Sequence, residues 1–127
     1  MTPKFRAWTE EGEVMYYDVY PFKDDTLLLS YDEIAFDEVP ASDFILMQYT
    51  GLRDKNGREI YEGDVVRYEC CFESYVEEVI YDDKHCNFGT IDKDEKTFSF
   101  DALISDFDVD CFEVVGNKYE NLELLGE

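Results

Sequence analysis

The sequence predicts a mainly β fold: a small, strongly bent or SH3-like barrel with additional hairpins and one or two short helices. Two observations carry that expectation. The first is the stretch 46–68, LMQYTGLRDKNGREIYEGDVVRY, which reads as strand, turn, short strand, tight turn, strand. Two turns that bracket a short strand, followed by a β-branched strand, suit small barrels and tightly curved sheets. The second is composition: ten Tyr, ten Phe and 17% aromatic residues overall. Aromatic side chains fit pleated surfaces better than helices.

Within the central stretch, Phe44-Ile45-Leu46-Met47-Gln48-Tyr49-Thr50 is apolar and aromatic, as a buried or half-buried strand would be. Gly51 is expected to break it. The polar turn that follows, residues 53–58, centres on Asn56-Gly57, a pair that tolerates the positive φ of a primed hairpin turn. Glu59-Ile60-Tyr61 resumes the chain, Glu62-Gly63-Asp64 turns it again, and Val65-Val66-Arg67-Tyr68 is the next strand. Gly51, Gly57 and Gly63 are the expected turn glycines, and Tyr49, Tyr61 and Val65 the expected core. Arg53, Lys55 and Arg58 are three of only eleven basic residues, so this turn is the one local basic cluster and the candidate interaction loop. No glycine-rich phosphate loop occurs.

The central stretch resembles the signature of the YopX-like family of phage and prophage proteins, Q-Y-T-G-L-x-D-x-x-G-x-x-I-Y-E-G-D-[IV]-V. Here it stands as Gln48-Tyr49-Thr50-Gly51-Leu52, Asp54, Gly57 and Ile60-Tyr61-Glu62-Gly63-Asp64-Val65-Val66. The opening Lys4, Arg6, Trp8 and Met15 is similar to that family's K-x-R-x-W…M. The closing Glu113-Val114-Val115-Gly116-Asn117, Tyr119, Glu120 and Asn121 is similar to its E-V-[IV]-G-N-x-[YF]-E-N. Residues 16–43 and 70–110 lie outside the resemblance, and Leu122 stands where Pro is usual. The resemblance implies a single domain over residues 1–127 and a phage- or prophage-derived accessory protein of the bacterial cytoplasm. It further implies oligomers, supplies no catalytic motif and leaves the biochemical role open.

The chain length suits one domain with a real core. Thirty-two acids face eleven bases, a net charge of −21. A surface of that sign repels phosphate backbones and anionic lipid, so direct nucleic-acid binding is not expected. A basic host or phage protein partner suits the charge, as does a decoy that mimics nucleic acid to inhibit a host nucleic-acid-binding or defence protein. A decoy would concentrate its acids in a phosphate-like stripe; an assembly protein would expose an apolar patch. No apolar run is long enough to span a membrane and no leader is evident, so no membrane association is expected. Cys70, Cys71, Cys86 and Cys111 lack C-x-x-C spacing and read as thiols of a reducing compartment. No metal site and no cofactor are expected.

Along the rest of the chain, residues 4–8 and 14–19 form a first hairpin through the turn 10–13. Trp8, the only tryptophan, reads as a core or edge residue or as an interface anchor. Pro21 ends the second strand. Residues 26–31 form a short apolar strand, 32–39 read as loop or strand, and Pro40 ends them. Residues 75–81, 86–91 and 97–100 read as further strands separated by the polar turns 82–84 and 92–96. Asp92-x-Asp94 starts like a calcium loop, yet Thr97 and Leu103 occupy the positions that need Gly and an acid. Residues 101–107 form the best helix, with Asp101 as the N-cap. Residues 112–117 form a last strand, and Tyr119, Leu122 and Leu125 recur at helical spacing. His85 reads as an exposed loop residue, since the adjacent Cys86 would point away from it. No catalytic residue stands out, and an enzyme is not expected.

Overall fold

The computed structural model describes residues 4–30, 35–70, 72–105, 111–121 and 123 of the chain. They form a mainly β structure that divides into two compact units, Met1–Tyr49 and Thr50–Glu127.

In the first unit, β1 (Phe5–Thr9) and β2 (Val14–Pro21) form the expected hairpin. Their turn needs two positive φ values, +85° at Gly12 and +52° at Glu13. β3 (Thr26–Ser30) and β4 (Phe36–Pro40) follow, then a 3-10 turn, Ala41–Asp43, and β5 (Ile45–Arg53). The strands run in the antiparallel order β4-β3-β2-β1-β5. Alternation places Ala7, Val19, Leu27 and Leu29 in a buried cluster, with Tyr16, Val39, Ala41 and Phe44 packed around it. Register puts Tyr20, Leu28 and Glu38 opposite one another on the other face of β2–β4. Residues 31–34 lie outside the described residues; of the ambiguous segment 32–39, the part from Phe36 onward is strand.

β5 continues through Gly51, which bends the strand at φ +90° rather than ending it. The Thr50 hydroxyl beside it donates to the Ile60 carbonyl (2.8 Å) and accepts the Leu52 N–H (3.2 Å). These bonds bridge the irregularity that Gly51 introduces.

In the second unit, β6 (Glu59–Tyr61) is the next neighbour of β5. A five-stranded antiparallel sheet then runs β10-β9-β8-β7-β11. Its strands are β7 (Asp64–Cys70), β8 (Glu73–Asp82), β9 (Asn87–Ile91), β10 (Thr97–Ser99) and β11 (Glu113–Asn117). The core beneath it joins Ile60, Val66, Tyr68, Val79, Phe112 and Val114 to Phe100 and Leu103. The last two come from α1 (Phe100–Ser105), where their spacing of three places both on one face.

Two further expectations are corrected. The sheets do not close into an SH3-like barrel. Instead β10 and β11 end the strand order of the second sheet among the described residues, because the chain leaves β10 directly into α1 and returns only to the far side of β7. The helix starts one residue earlier than expected and is capped by Ser99, whose Oγ accepts the Ala102 N–H (3.0 Å), not by Asp101. Starting at Phe100 lets that ring bury edge-to-face against Phe112 at 5.1 Å. Of the helical spacing at the C-terminus, Leu122 and Leu125 lie outside the described residues. Tyr119 sits in a turn, where the Asn117 side chain accepts the N–H groups of Tyr119 (3.0 Å) and Glu120 (2.9 Å).

Gly63 is buried at φ +85°, with its N–H bonded to the Val79 carbonyl and its own carbonyl accepting the Lys118 N–H, each at 2.9 Å. Gly89 faces β10 so closely that an added Cβ would collide with the Phe98 carbonyl group. Gly63→Val is expected to cost about 1–3 kcal/mol through left-handed strain. Gly89→Ala is expected to cost about 1–3 kcal/mol through overpacking. Urea denaturation measures both, and an unchanged midpoint would remove the corresponding assignment.

Candidate functional site: the basic hairpin and its cleft

The basic turn is built by one carboxylate. Asp54, 7% exposed, accepts the N–H groups of Asn56 (2.9 Å) and Arg58 (2.8 Å) on Oδ1 and that of Val114 (3.0 Å) on Oδ2. The Asp54 N–H donates to the Arg58 carbonyl (2.8 Å), and the Lys55 N–H to the Phe112 carbonyl (2.9 Å). The hairpin is therefore fastened to the start of β11. Burial by itself would raise the Asp54 pKa. The N–H groups of Val114, Arg58 and Asn56, with the Arg58 charge, outweigh it and hold the carboxyl below the usual aspartate range.

Gly57 takes φ +83° at the tip of this turn. The second turn is tied by Asp64, 1% exposed, whose Oδ2 accepts the Tyr61 N–H at 2.8 Å. Tyr61 and Val65 are buried and Tyr49 is half-buried.

Arg53, Lys55 and Arg58 are all exposed. The Arg53 guanidinium donates to the Gly57 carbonyl (2.8 Å) and lies 3.7 Å from Glu59. The Lys55 ammonium lies 4.0 Å from Glu113 Oε1, and Arg67 reaches the same oxygen at 2.6 Å. Arg67 thereby joins the cluster, a member that sequence reasoning missed. The available signal was strand alternation, which turns Arg67 outward between the buried Val66 and Tyr68. The cation pair and Glu113 border a cleft of about 380 Å³ that Tyr68, Glu69 and Cys111 complete. Such a cleft can hold a polar group between opposite charges.

Beneath it lies a buried polar cluster. Glu77, 3% exposed, accepts the Tyr68 hydroxyl (2.6 Å) and the Thr90 hydroxyl (2.8 Å) on one carboxylate oxygen. Burial, then the hydrogen bond and charge of Glu77, push the Tyr68 phenol far above its ordinary value, so it stays neutral and donates. Tyr68 is held in place by stacking on Tyr75 at 5.5 Å and by Phe112 at 5.3 Å.

The other singled-out residues are dispersed. His85 is exposed, and its Nδ1 lies 2.7 Å from Asp82, which that contact holds below the usual carboxylate range. Cys86 instead directs its thiol to the Asp83 carbonyl at 3.7 Å, so the two neighbours point to different partners. The Asp92 carboxylate accepts the N–H groups of Asp94 and Lys96, both at 2.9 Å, repeating the geometry of Asp54. Cys70 is half-buried and Cys111 exposed; Cys71 lies outside the described residues. Among the described residues, no group of three or more His, Cys, Asp or Glu is placed to hold a metal ion. No helix among the described residues is long and apolar enough to cross a membrane. Trp8 is 5% exposed and walls a second cleft of about 380 Å³, in the first unit, whose rim includes Glu10, Glu11 and Asp43.

The family model described as YopX protein matches residues 4–126, nearly the whole chain. The chain belongs to the YopX family. It is also similar to protein EF1440 from Enterococcus faecalis, known from a crystal structure, with a TM-score of 0.67 and 28% identity over 98% of this chain and 99% of that one. No curated protein matches it. In this YopX chain the signature positions Asp54, Gly57, Gly63 and Asp64 build the two turns, and Thr50 and Gly51 shape the bend in β5.

Because Asp54 titrates lower in the folded chain than in the unfolded one, its stabilisation is complete above the ordinary aspartate pKa of about 3.9 and is lost as pH falls through the lowered folded value. Asp54→Asn is expected to cost about 1–3 kcal/mol at pH 7, since backbone donors lose their charged acceptor. The gap from wild type should narrow at pH 3. Urea melts at both pH values test it, and a gap that does not depend on pH would exclude the carboxylate as the source.

Proposed function

We propose that this YopX-family chain is a non-enzymatic, phage- or prophage-derived accessory protein of the bacterial cytoplasm that works through protein contacts, self-assembly among them. One observation carries the reading. Large aromatic side chains stand exposed on β2, just after it and on the edge strand β4 of the first unit: Tyr17 (49%), Tyr20 (48%), Phe22 (52%) and Phe36 (45%). Tyr20 and Phe36 meet edge-to-face at 5.7 Å although both face solvent. Single exposed apolar residues are ordinary, whereas a paired set beside others marks a contact surface. The polar groups of the hairpin cleft are largely engaged with one another, which favours a binding module over a reaction centre.

Light scattering at low and high salt tests the proposal. A discrete oligomer is expected, strengthened by salt because screening relieves the repulsion of a chain at −21. The Tyr20→Ser, Phe36→Ser double variant should shift the mass toward monomer while its far-UV circular dichroism stays the same. A wild-type monomer under both conditions would overturn self-assembly, and an oligomer indifferent to the double variant would move the contact elsewhere.

A further inference from the structure

We propose that β4 is a docking edge for a basic, extended segment of a partner protein, which adds to the first unit's sheet as a further antiparallel strand. This rests on the reading of the first unit as a contact module and names the chemistry of one partner.

The placement of β4 is the first argument. It ends the strand order, and all five of its residues pair with β3 without a register shift. Every second N–H and C=O of β4 therefore points away from β3, and no strand among the described residues covers them. Edges of this kind are commonly blunted by a bulge, by a proline or by charged side chains, which turn away strands of like charge and not strands of opposite charge. Here the only proline is Pro40, at the last position, and the middle carries Asp37 and Glu38.

The charges then select the occupant. Facing residues in an antiparallel pair share the same hydrogen-bonding orientation, so a two-fold pairing of β4 with its own copy must centre on a residue. The two registers centred in mid-strand set Asp37 on Asp37 or Glu38 on Glu38, and like charges directly opposite are destabilising. A second copy is disfavoured in both of these registers, and so is any strand that sets acids opposite Asp37 and Glu38. A strand with Lys or Arg opposite both acids is accepted. Phe36, in edge contact with Tyr20, and Val39, half-buried on the other face, ask for apolar residues at the flanking positions. The complementary pattern is apolar-basic-basic-apolar. Lys23, 3.9 Å from Glu38, is largely exposed and easily displaced by a closer cation. Immediately after β4 the chain enters the 3-10 turn that contains Asp43, on the rim of the acidic Trp8 cleft, so the same sign of charge continues. The main-chain ladder supplies affinity and the side chains supply choice, as in other strand-addition sites.

The test uses the full chain, labelled with nitrogen-15, and the end-blocked peptide Thr-Val-Lys-Lys-Val-Thr. Saturable amide shifts are expected on residues 36–40 and their β3 neighbours. Binding should be at least tenfold weaker for the peptide with Glu in place of both Lys. It should be lost when the amides facing β4 are N-methylated. The Asp37→Lys, Glu38→Lys variant should reverse the preference and take the glutamate peptide. No saturable shift at millimolar peptide, shifts centred away from β4, or equal binding of the N-methylated peptide would overturn the proposal. The titration reads the edge alone, whether the protein is monomer or oligomer. Its failure is thus separate from a failure of the assembly experiment.

Discussion

The second unit depends on the carboxylate of Asp54. With three backbone N–H groups converging on it, one side chain closes the central hairpin and joins it to a strand sixty residues later. The bond to Val114 fixes where β11 begins, and β11 in turn pairs along β7. A neutral side chain at this position could not accept three donors as strongly, because a charged acceptor strengthens each hydrogen bond. The local turn and the long-range sheet are therefore secured by the same group. The lowered pKa of Asp54 is the signature of that arrangement.

The charge of the chain is handled in two ways. Buried acids accept hydrogen bonds: Asp54 and Asp64 from backbone N–H groups, and Glu77 from the hydroxyls of Tyr68 and Thr90. Several of the scarce bases pair nearer the surface, where Arg67 and Lys55 share Glu113 and Lys118 meets Glu78. Exposed pairs of this kind contribute little to stability. The fold consequently rests on its aromatic core and its turns. The remaining acids are left to set which partners the surface accepts.

Strand content was legible because alternation and aromatic load are local properties. Residues 4–8 with 14–19, and 75–81, became β1, β2 and β8 with small changes of boundary. The turn at Asn56-Gly57 was legible for the same reason. Gly51 was misjudged as a strand end because its left-handed conformation looks like a break. The Thr50 hydroxyl carries the strand past it, and that bond reaches a carbonyl ten residues away. Ser99 was missed as the helix cap because burial of Phe100, against a ring twelve positions later, decides where the helix starts. In the candidate site, Arg53, Lys55 and Arg58 were visible as a run, whereas Arg67 joined Lys55 only through β7–β11 pairing, which brings Glu113 beside it.

By itself the sequence determined the family, the predominance of strands, the positions of the tight turns and the sign of the surface. Each of these follows from neighbouring residues or from composition. Only the tertiary structure decided that the sheets stay open, that Glu77 sits in the core with two hydroxyl donors, and that β4 is an edge with its acids in mid-strand. Those outcomes depend on which strands meet. Pairing is settled by long-range burial and backbone hydrogen bonding, and a linear pattern of residue types does not specify it.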